Sequence, residues 1–325
     1  MSRQSNIVKA LGDTIDHIPF HTTACFSGKV RDNFIFGDGR MAIVVTDRVS
    51  VFDFKIGTVP FKGQVLNQLA AWWFAKLDDI GIPHHQLSMP HPNISLVRRV
   101  TPLPIELIVR AYLTGTTTTS SWYAYQNNER SICGLKMPSG MKKNEPFPDL
   151  MLTPTTKAVK GHDENISRQQ ILDRGLVDKC ILDLAEQFAL KMFKHGQRLA
   201  EERGLILVDT KYEMGITDEG ALIIIDEVHT PDSSRYWLAE SYKGRMDSGA
   251  EPDSLDKEFV RRLVIAAGYD VDSDVDPAKY FNDEMRVEAA ERYATLYEKM
   301  TGDTVEFRPT SKFEVARALE SLAGN

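Results

Sequence analysis

The segment LILVDTKYEMGITDEGALIIIDEV, residues 205 to 228, constrains this chain more than any other. Two apolar, β-prone runs flank the turn-rich ITDEG, which predicts a β-hairpin. Side chains at every second position of a strand share a face. Asp209, Lys211 and Glu213 therefore line one face of an otherwise apolar ribbon. A turn centred between Asp218 and Glu219 places Lys211 opposite Asp226 and Glu213 opposite Ile224, so that Asp226 joins the same face. A slip of one residue would send Asp226 to the other side. Two carboxylates about 4 Å apart repel by roughly 4 kcal/mol at an effective dielectric of 20, so such a face needs a cation, a shared proton or solvent. It reads either as an ion-pair ladder on a half-buried hairpin or as a Mg²⁺ site, with Lys211 touching phosphate beside the metal.

With 325 residues the chain can bury a large core and form two lobes. The net charge of −7 argues against a nucleic-acid partner and leaves room for a local basic pocket that takes small anions. Cys25, Cys133 and Cys180 show no pairing pattern and are expected to be buried in a reducing compartment. There is no apolar leader, and no run approaches the roughly 18 apolar residues of a membrane span. A cytoplasmic protein without a membrane partner is expected; monomer and homo-oligomer are equally compatible with the sequence.

Residues 24–36 and 41–46 predict two strands joined by GDGR. GDGRMA also fits a dinucleotide-type glycine pattern, but a β-branched run follows where a helix is required. Residues 63–81 have helical periodicity, with Trp72 and Trp73 as packing residues. Two short strands interrupted by TPLP occupy 94–115, so a lobe junction is placed near residue 100: a β-rich lobe over 1–100 and a larger α/β lobe over 101–325. Residues 126–165 read as a long irregular excursion. Residues 167–203 and three segments after residue 250 read as helices.

Further segments carry chemical potential. In SGKVRD (27–32), Gly28 permits close approach of a ligand, and Lys29 and Arg31 share a strand face; this is either a cover for phosphates or a basic edge strand. In VRAYLTGTTTTSS (109–121), Arg110 offers a planar fork, and Gly115 with its hydroxyls forms a phosphate cradle or a helix cap. Arg235, in DSSRYW, follows the acidic hairpin directly. TDRVSVFDF groups Asp47, Arg48, Ser50 and Asp53, and LTPTTKAVKGHDENIS places Lys157, Lys160, His162, Asp163 and Glu164 in the excursion. His84, His85 and His91 have no ligand spacing and read as loop or surface residues.

Taken in order, SGKVRD, TDRVSVFDF, PIELIVRAYLTGT, LTPTTKAVKGHDENIS, DTKYEMG and DEVHTPDSSRYW resemble the phosphoribosylaminoimidazole-succinocarboxamide synthase (SAICAR synthetase) family, from about residue 20 to 270. LDKEFVRRLV is similar to its C-terminal helix, and GLKMPSG to its longer version. The resemblance implies an α+β, two-lobed fold related to ATP-grasp, with antiparallel sheets, packed helices and a helical C-terminus. It implies a ligase of purine biosynthesis that uses ATP and Mg²⁺ to join L-aspartate to the carboxylate of carboxyaminoimidazole ribotide through an acyl phosphate. By the same resemblance, Gly28, Lys29, Val30 and Arg31 cover the triphosphate, and Val100, Pro102 and Glu106 line the adenine. Arg110, Thr116, Asp232, Ser233 and Arg235 bind the ribotide. Lys211 contacts phosphate, and Glu213 and Asp226 hold the metal. Asp32, Ser50, Asp53 and Lys157 are candidates for the aspartate pocket, and His229 has no assigned role. A small-molecule kinase would use the same parts on a hydroxyl without aspartate, and a nucleotide sensor would bind ATP without turnover.

Overall fold

The computed structural model describes residues 2–20, 22, 24–52, 54–157, 163–271, 273 and 275–324. Asp53, Lys160 and His162 lie outside the described residues. After helix α1 (Arg3–Lys9) come β1 (Cys25–Ser27), β2 (Arg31–Ile35), β3 (Arg40–Val45), β4 (Arg48–Val51), β5 (Phe54–Thr58), α2 (Lys62–Asp78), β6 (Gln86–His91) and β7 (Ile94–Arg98). Five of these strands form an antiparallel sheet in the order β1-β2-β3-β7-β6, and β4 pairs with β5. The stretch 24–36, expected as one strand, is a hairpin: Ser27 faces Asp32, and the Gly28 amide donates to the Arg31 carbonyl at 2.7 Å. A Cβ at Gly28 would lie 3.3 Å from that carbonyl oxygen, a tight contact that glycine avoids. Lys29 consequently sits in the turn and shares no strand face with Arg31. GDGR joins β2 to β3 as expected.

The chain then enters β8 (Thr101–Pro102), β9 (Ile105–Tyr112), α3 (Ser121–Gln126), β10 (Ser131–Ile132), β11 (Leu135–Lys136) and β12 (Pro146–Thr156). Helices α4 (Arg168–Asp173) and α5 (Lys179–Glu201) lead to β13 (Leu205–Ile216), β14 (Leu222–Ile225) and β15 (Ser234–Leu238). The second sheet runs β12-β9-β13-β14, with β8 and β15 also paired to β13. Strand β12 corrects the expectation of an irregular excursion over 126–165. Its prolines at 146, 148 and 154 argue against a strand, but β12 is an edge, where proline is tolerated.

The second sheet has two different faces. On β9, Leu107 and Val109 face the core while Glu106, Ile108 and Arg110 face a cleft. Helix α5 covers the core face through Leu182, Ala185, Ala189, Met192 and Phe193, spaced three and four apart as one helical stripe requires. Burying each large side chain there is worth roughly 1.5–3 kcal/mol. Strand β13 changes phase midway. Leu205 and Leu207 belong to the core, and so do Tyr212 and Met214. The pairing with β15 shifts between Leu207 and Asp209, a β-bulge, and from there the odd-numbered Asp209 and Lys211 face the cleft.

Helix α2 joins the parts. Leu69, Trp73 and Leu77 belong to the core under the second sheet, while Val65 and Leu66 pack with Val49, Val51, Val260, Val264 and Tyr293. The last residues of that group come from α7 (Lys257–Ala266) and α8 (Asp283–Thr301), which follow α6 (Ala239–Ser248). Helix α9 (Lys312–Ala323) lays Val315 and Leu319 on Phe34, Ala42 and Ile94 of the first sheet. The expected helices over 63–81, 167–203 and after 250 are therefore present within a few residues, and Trp73 is a fully buried packing residue. Among the described residues no helix is long and apolar enough to cross a membrane.

Gly63 allows α2 to start against the first sheet. A Cβ there would collide with the Val45 carbonyl oxygen and lie 2.5 Å from Asn93 Nδ2, both in rigid, buried surroundings. Gly63→Ala is therefore expected to destabilise by about 1–3 kcal/mol despite alanine's better helix propensity, read as a shift in the denaturation midpoint. A stability equal to the parent's would show that this contact relaxes freely.

Two further expectations are corrected here. Cys25 and Cys180 are exposed rather than buried, because one lies on the edge strand β1 and the other on the outer side of α5; all three cysteines are unpaired. His85 and His91 are buried rather than superficial. Residues 83–85 cover the outer edge of β14, with the His85 amide donating to the Ile224 carbonyl at 2.9 Å, and burial pushes the His85 imidazole down to about 3.

Candidate active site

The β13–β14 hairpin forms with a register one residue from that expected: Glu213 lies opposite Ile225 instead of Ile224. Continued alternation would turn Asp226 to the core. It does not, because β14 ends at Ile225 and Asp226 adopts a left-handed φ of 68°. Its carboxylate approaches Lys211 Nζ at 3.8 Å and pairs with Arg31. The acidic cluster thus assembles through a local backbone reversal that the strand period does not contain.

Lys211 Nζ lies 3.2 Å from Glu106 Oε1 and pairs with Glu213, whose other oxygen takes the Lys157 ammonium. Arg31, reaching over from the first sheet, binds Asp226 and the buried Glu227. Burial pulls the Lys211 ammonium down, but Glu213, Glu106 and Asp226 outweigh it and hold it well above its usual value. Burial pushes Glu106 up against the pull of Lys211. It acts likewise on Glu213, where Lys211 and Lys157 prevail and hold the carboxyl below its usual range.

Four carboxylates, Glu106, Glu213, Asp226 and Glu227, thus meet three cations, Arg31, Lys157 and Lys211. All the donors are hard oxygens, which suits Mg²⁺. Among the described residues no group of three or more ligating side chains is poised to hold a metal by itself. The donor set therefore fits an ion that draws its remaining ligands from phosphate and water.

Beside this cluster opens a cleft of about 770 Å³, mouth included, floored by β9 and β13. At its other end Asp209 binds Arg235 and lies 3.6 Å from Arg110 Nη1. Arg110 is fixed further by Thr153 Oγ1 at 2.8 Å and the Thr119 carbonyl at 2.9 Å. Both guanidiniums line the cleft and are held there by these partners. The amino end of α7 adds Lys257, Glu258 and Arg261. Burial pushes the Lys257 ammonium down to about 8, against the pull of Asp232.

Of the expected site residues, Glu106, Arg110, Lys211, Asp232, Ser233 and Arg235 line this cleft. Gly28, Lys29, Val30, Val100, Pro102 and Thr116 do not; Thr117 and Thr119 reach it in place of the exposed Thr116. Val100 and Pro102 lie against Gly215 on β13. Arg31, Lys157, Glu213 and Asp226 join through the charge cluster. Asp32 is occupied by a two-pronged pair with Arg48, at 2.8 and 3.1 Å, and Ser50 accepts from Lys257 Nζ at 3.1 Å.

Sequence reasoning missed Lys257, Arg261 and the buried Lys62–Asp232 pair at 2.7 Å. The available signal was basic residues at 257 and 261, one turn apart at the start of a helix, where the helix dipole disfavours cations unless an anion compensates.

A polar cleft lined by charges of both signs, on one face of a sheet whose other face is the core, is the arrangement of a small-molecule site. The sequence model of SAICAR synthetase matches residues 24–277. A putative phosphoribosylaminoimidazole-succinocarboxamide synthase 2 of Mesorhizobium japonicum is 46% identical over 85% of this chain and 88% of its own. A phosphoribosylaminoimidazole-succinocarboxamide synthase of Legionella pneumophila is 42% identical over 86% and 88%. Among solved structures, a SAICAR synthase of Saccharomyces cerevisiae in complex with SAICAR superposes with a TM-score of 0.73 at 30% identity, over 89% of this chain and 96% of that one. A SAICAR synthetase in complex with ADP shares the fold, with a TM-score of 0.67 at 21% identity over 87% and 100%. The chain belongs to the SAICAR synthetase family, the ligases of purine biosynthesis, and the mixed α/β fold is that of the family.

Proposed function

We propose that this enzyme joins L-aspartate to the carboxylate of carboxyaminoimidazole ribotide at the expense of ATP, releasing SAICAR, ADP and phosphate. The observation that carries the reading is one sheet face bearing both halves of the required chemistry. The Lys211 cluster with its carboxylates lies at one end, and the Arg110–Asp209–Arg235 group lies at the other. The relatives' names and the SAICAR held by the yeast structure support the same reaction.

ATP supplies the phosphoryl group that activates the ribotide carboxylate as an acyl phosphate for attack by the aspartate amine; Mg²⁺, when bound, screens the phosphate charge. Glu213 and Asp226 are the residues that would hold the ion. Lys211, kept charged by its three carboxylates, presents its ammonium to the transferring phosphoryl oxygens. Arg110 and Arg235 bind the ribotide's phosphate or carboxylate with forks already oriented by Asp209, so little ordering is left to binding. Gly28, Lys29, Val30 and Arg31 form the turn that covers the nucleotide, with Val100, Pro102 and Glu106 near its base. Lys157, Asp232, Ser233 and the loop at Thr116 contact the two acids. No side-chain nucleophile is required. The test is turnover with ATP, Mg²⁺, ribotide and aspartate, each omitted in turn. Steady ADP formation without aspartate and without matching phosphate release, the phosphoryl group staying on the second substrate, would replace this reading by a kinase, and no turnover at all would replace it by a sensor.

Lys257 gives the cleft a pH limit. Its folded-state value of about 8 lies below that of a free lysine, so the ammonium is present at pH 7 and is lost as pH rises through 8. If that charge helps hold an anionic substrate, KM rises on the alkaline side. Lys257→Arg, which stays protonated, is then expected to keep KM flat to about pH 9. An unchanged alkaline limb in the variant would take Lys257 out of substrate binding.

A further inference from the structure

We propose that His229 is a positioning residue, the buried post that sets the loop carrying Asp226, Glu227 and Asp232, and that Gly196 of α5 is a glycine in order to receive it. The inference rests on the ligase reading for the loop's role, but its geometry stands alone. Loop 226–233 leaves β14 through two left-handed non-glycine residues, Asp226 (φ 68°) and His229 (φ 52°). Such residues cost about 1–3 kcal/mol each unless their surroundings enforce them. The enforcement is at His229. Its ring is fully buried and meets Trp73 of α2 edge to face, with centroids 4.4 Å apart. Its Nε2 bonds the Tyr212 hydroxyl of β13, and its carbonyl accepts from the Tyr236 hydroxyl of β15 at 2.7 Å. The fourth wall is Gly196: a Cβ there would collide with Cε1 and lie 2.7 Å from Nδ1. Glycine within a helix costs about 1 kcal/mol relative to alanine, so the space has a use.

The loop is tied onward from this post. The Thr230 carbonyl accepts from the Ser233 and Ser234 amides at 3.1 and 2.9 Å, and the Lys211 amide donates to the Ser233 carbonyl at 3.0 Å. The ring's position therefore passes to Asp232, whose amide donates to Thr230 Oγ1 at 3.3 Å, and to Glu227, whose carboxylate accepts from the Thr230 hydroxyl, next to Asp226 in the chain. Burial pushes the His229 imidazole down to about 3, which favours the neutral ring.

The test compares Gly196→Ala, Tyr212→Phe and His229→Asn, the last retaining a residue that tolerates left-handed φ. The readouts are kcat, the Mg²⁺ concentration for half-maximal rate, and hydrogen exchange of residues 226–233 against the rest of the chain. Gly196→Ala lies in a helix behind the sheet, yet is expected to lower kcat about a hundred-fold and weaken the Mg²⁺ dependence about ten-fold. Exchange should rise in the loop alone. In a His229→Asn background the added methyl meets only Leu207 Cδ2, at 2.9 Å, so Gly196→Ala is expected to cost far less there than in the parent. Parent-like kinetics and loop exchange in a folded Gly196→Ala protein overturn the proposal, as does exchange raised throughout the chain with kcat unchanged. If Gly196→Ala does not fold, the same outcomes in Tyr212→Phe and His229→Asn decide it. A parent enzyme that shows no Mg²⁺-dependent turnover refutes the ligase reading instead, and loop exchange still decides the role of His229.

Discussion

Lys211→Met is expected to lower turnover by about a hundred- to a thousand-fold, the range seen when one preorganised donor to a developing charge is removed. The size of the effect follows from the surroundings. Glu106, Glu213 and Asp226 all point at this ammonium, and they hold it charged far above working pH. Methionine fills much the same volume but leaves the phosphoryl oxygens facing carboxylates. Folding should suffer much less. Glu213 keeps Lys157 and Asp226 keeps Arg31. Burial already favours the protonated form of Glu106, which can take up a proton when its cation is gone. The measurement is kcat at saturating substrates together with a thermal melt. Parent-like turnover in the folded variant would take Lys211 out of the chemistry, and a collapsed melt would make it a structural ion pair.

Arg235→Met should act on binding. Its guanidinium is held by Asp209 and lies 3.8 Å from Glu258. A charge-assisted contact of this kind is worth about 1.5–3 kcal/mol, so KM for the ribotide is expected to rise by roughly ten- to a hundred-fold. The KM values for ATP and aspartate should move little. Stability falls too, because the buried Asp209 retains only Arg110 at 3.6 Å, whereas Glu258 keeps Arg261 at 2.9 Å. Arg235→Lys keeps the charge without the planar fork and should recover only part of the loss. A rise in KM for aspartate with no change for the ribotide would reassign this end of the cleft.

These residues differ in how far the sequence discloses them. The face formed by Asp209, Lys211 and Glu213 is legible because the strand period is short and the three lie within five residues. Asp226 is legible only by luck of register: the expected pairing is off by one, and the left-handed turn at Asp226 restores the contact. Strand β12 is hidden by prolines that only its edge position excuses. The Lys62–Asp232 pair joins residues 170 apart, and no local pattern announces it. The cleft contribution of Lys257 and Arg261 is obscured because the same helix also carries Val260 and Val264 into the core and so reads as ordinary amphipathicity. Gly196 carries no signal until the ring opposite it is seen.

The bulge in β13 has a consequence for how such a chain can vary. One extra residue between Leu207 and Asp209 decides which side of the ribbon is oily before it and which is charged after it. Deleting Val208 would remove a single apolar side chain yet turn the downstream half over. An ammonium and a carboxylate would then press against α5, and a tyrosine would face water. Length at that point should thus be far less tolerant of change than composition, and single-codon deletions across 206–209 should yield no folded protein where substitutions often do.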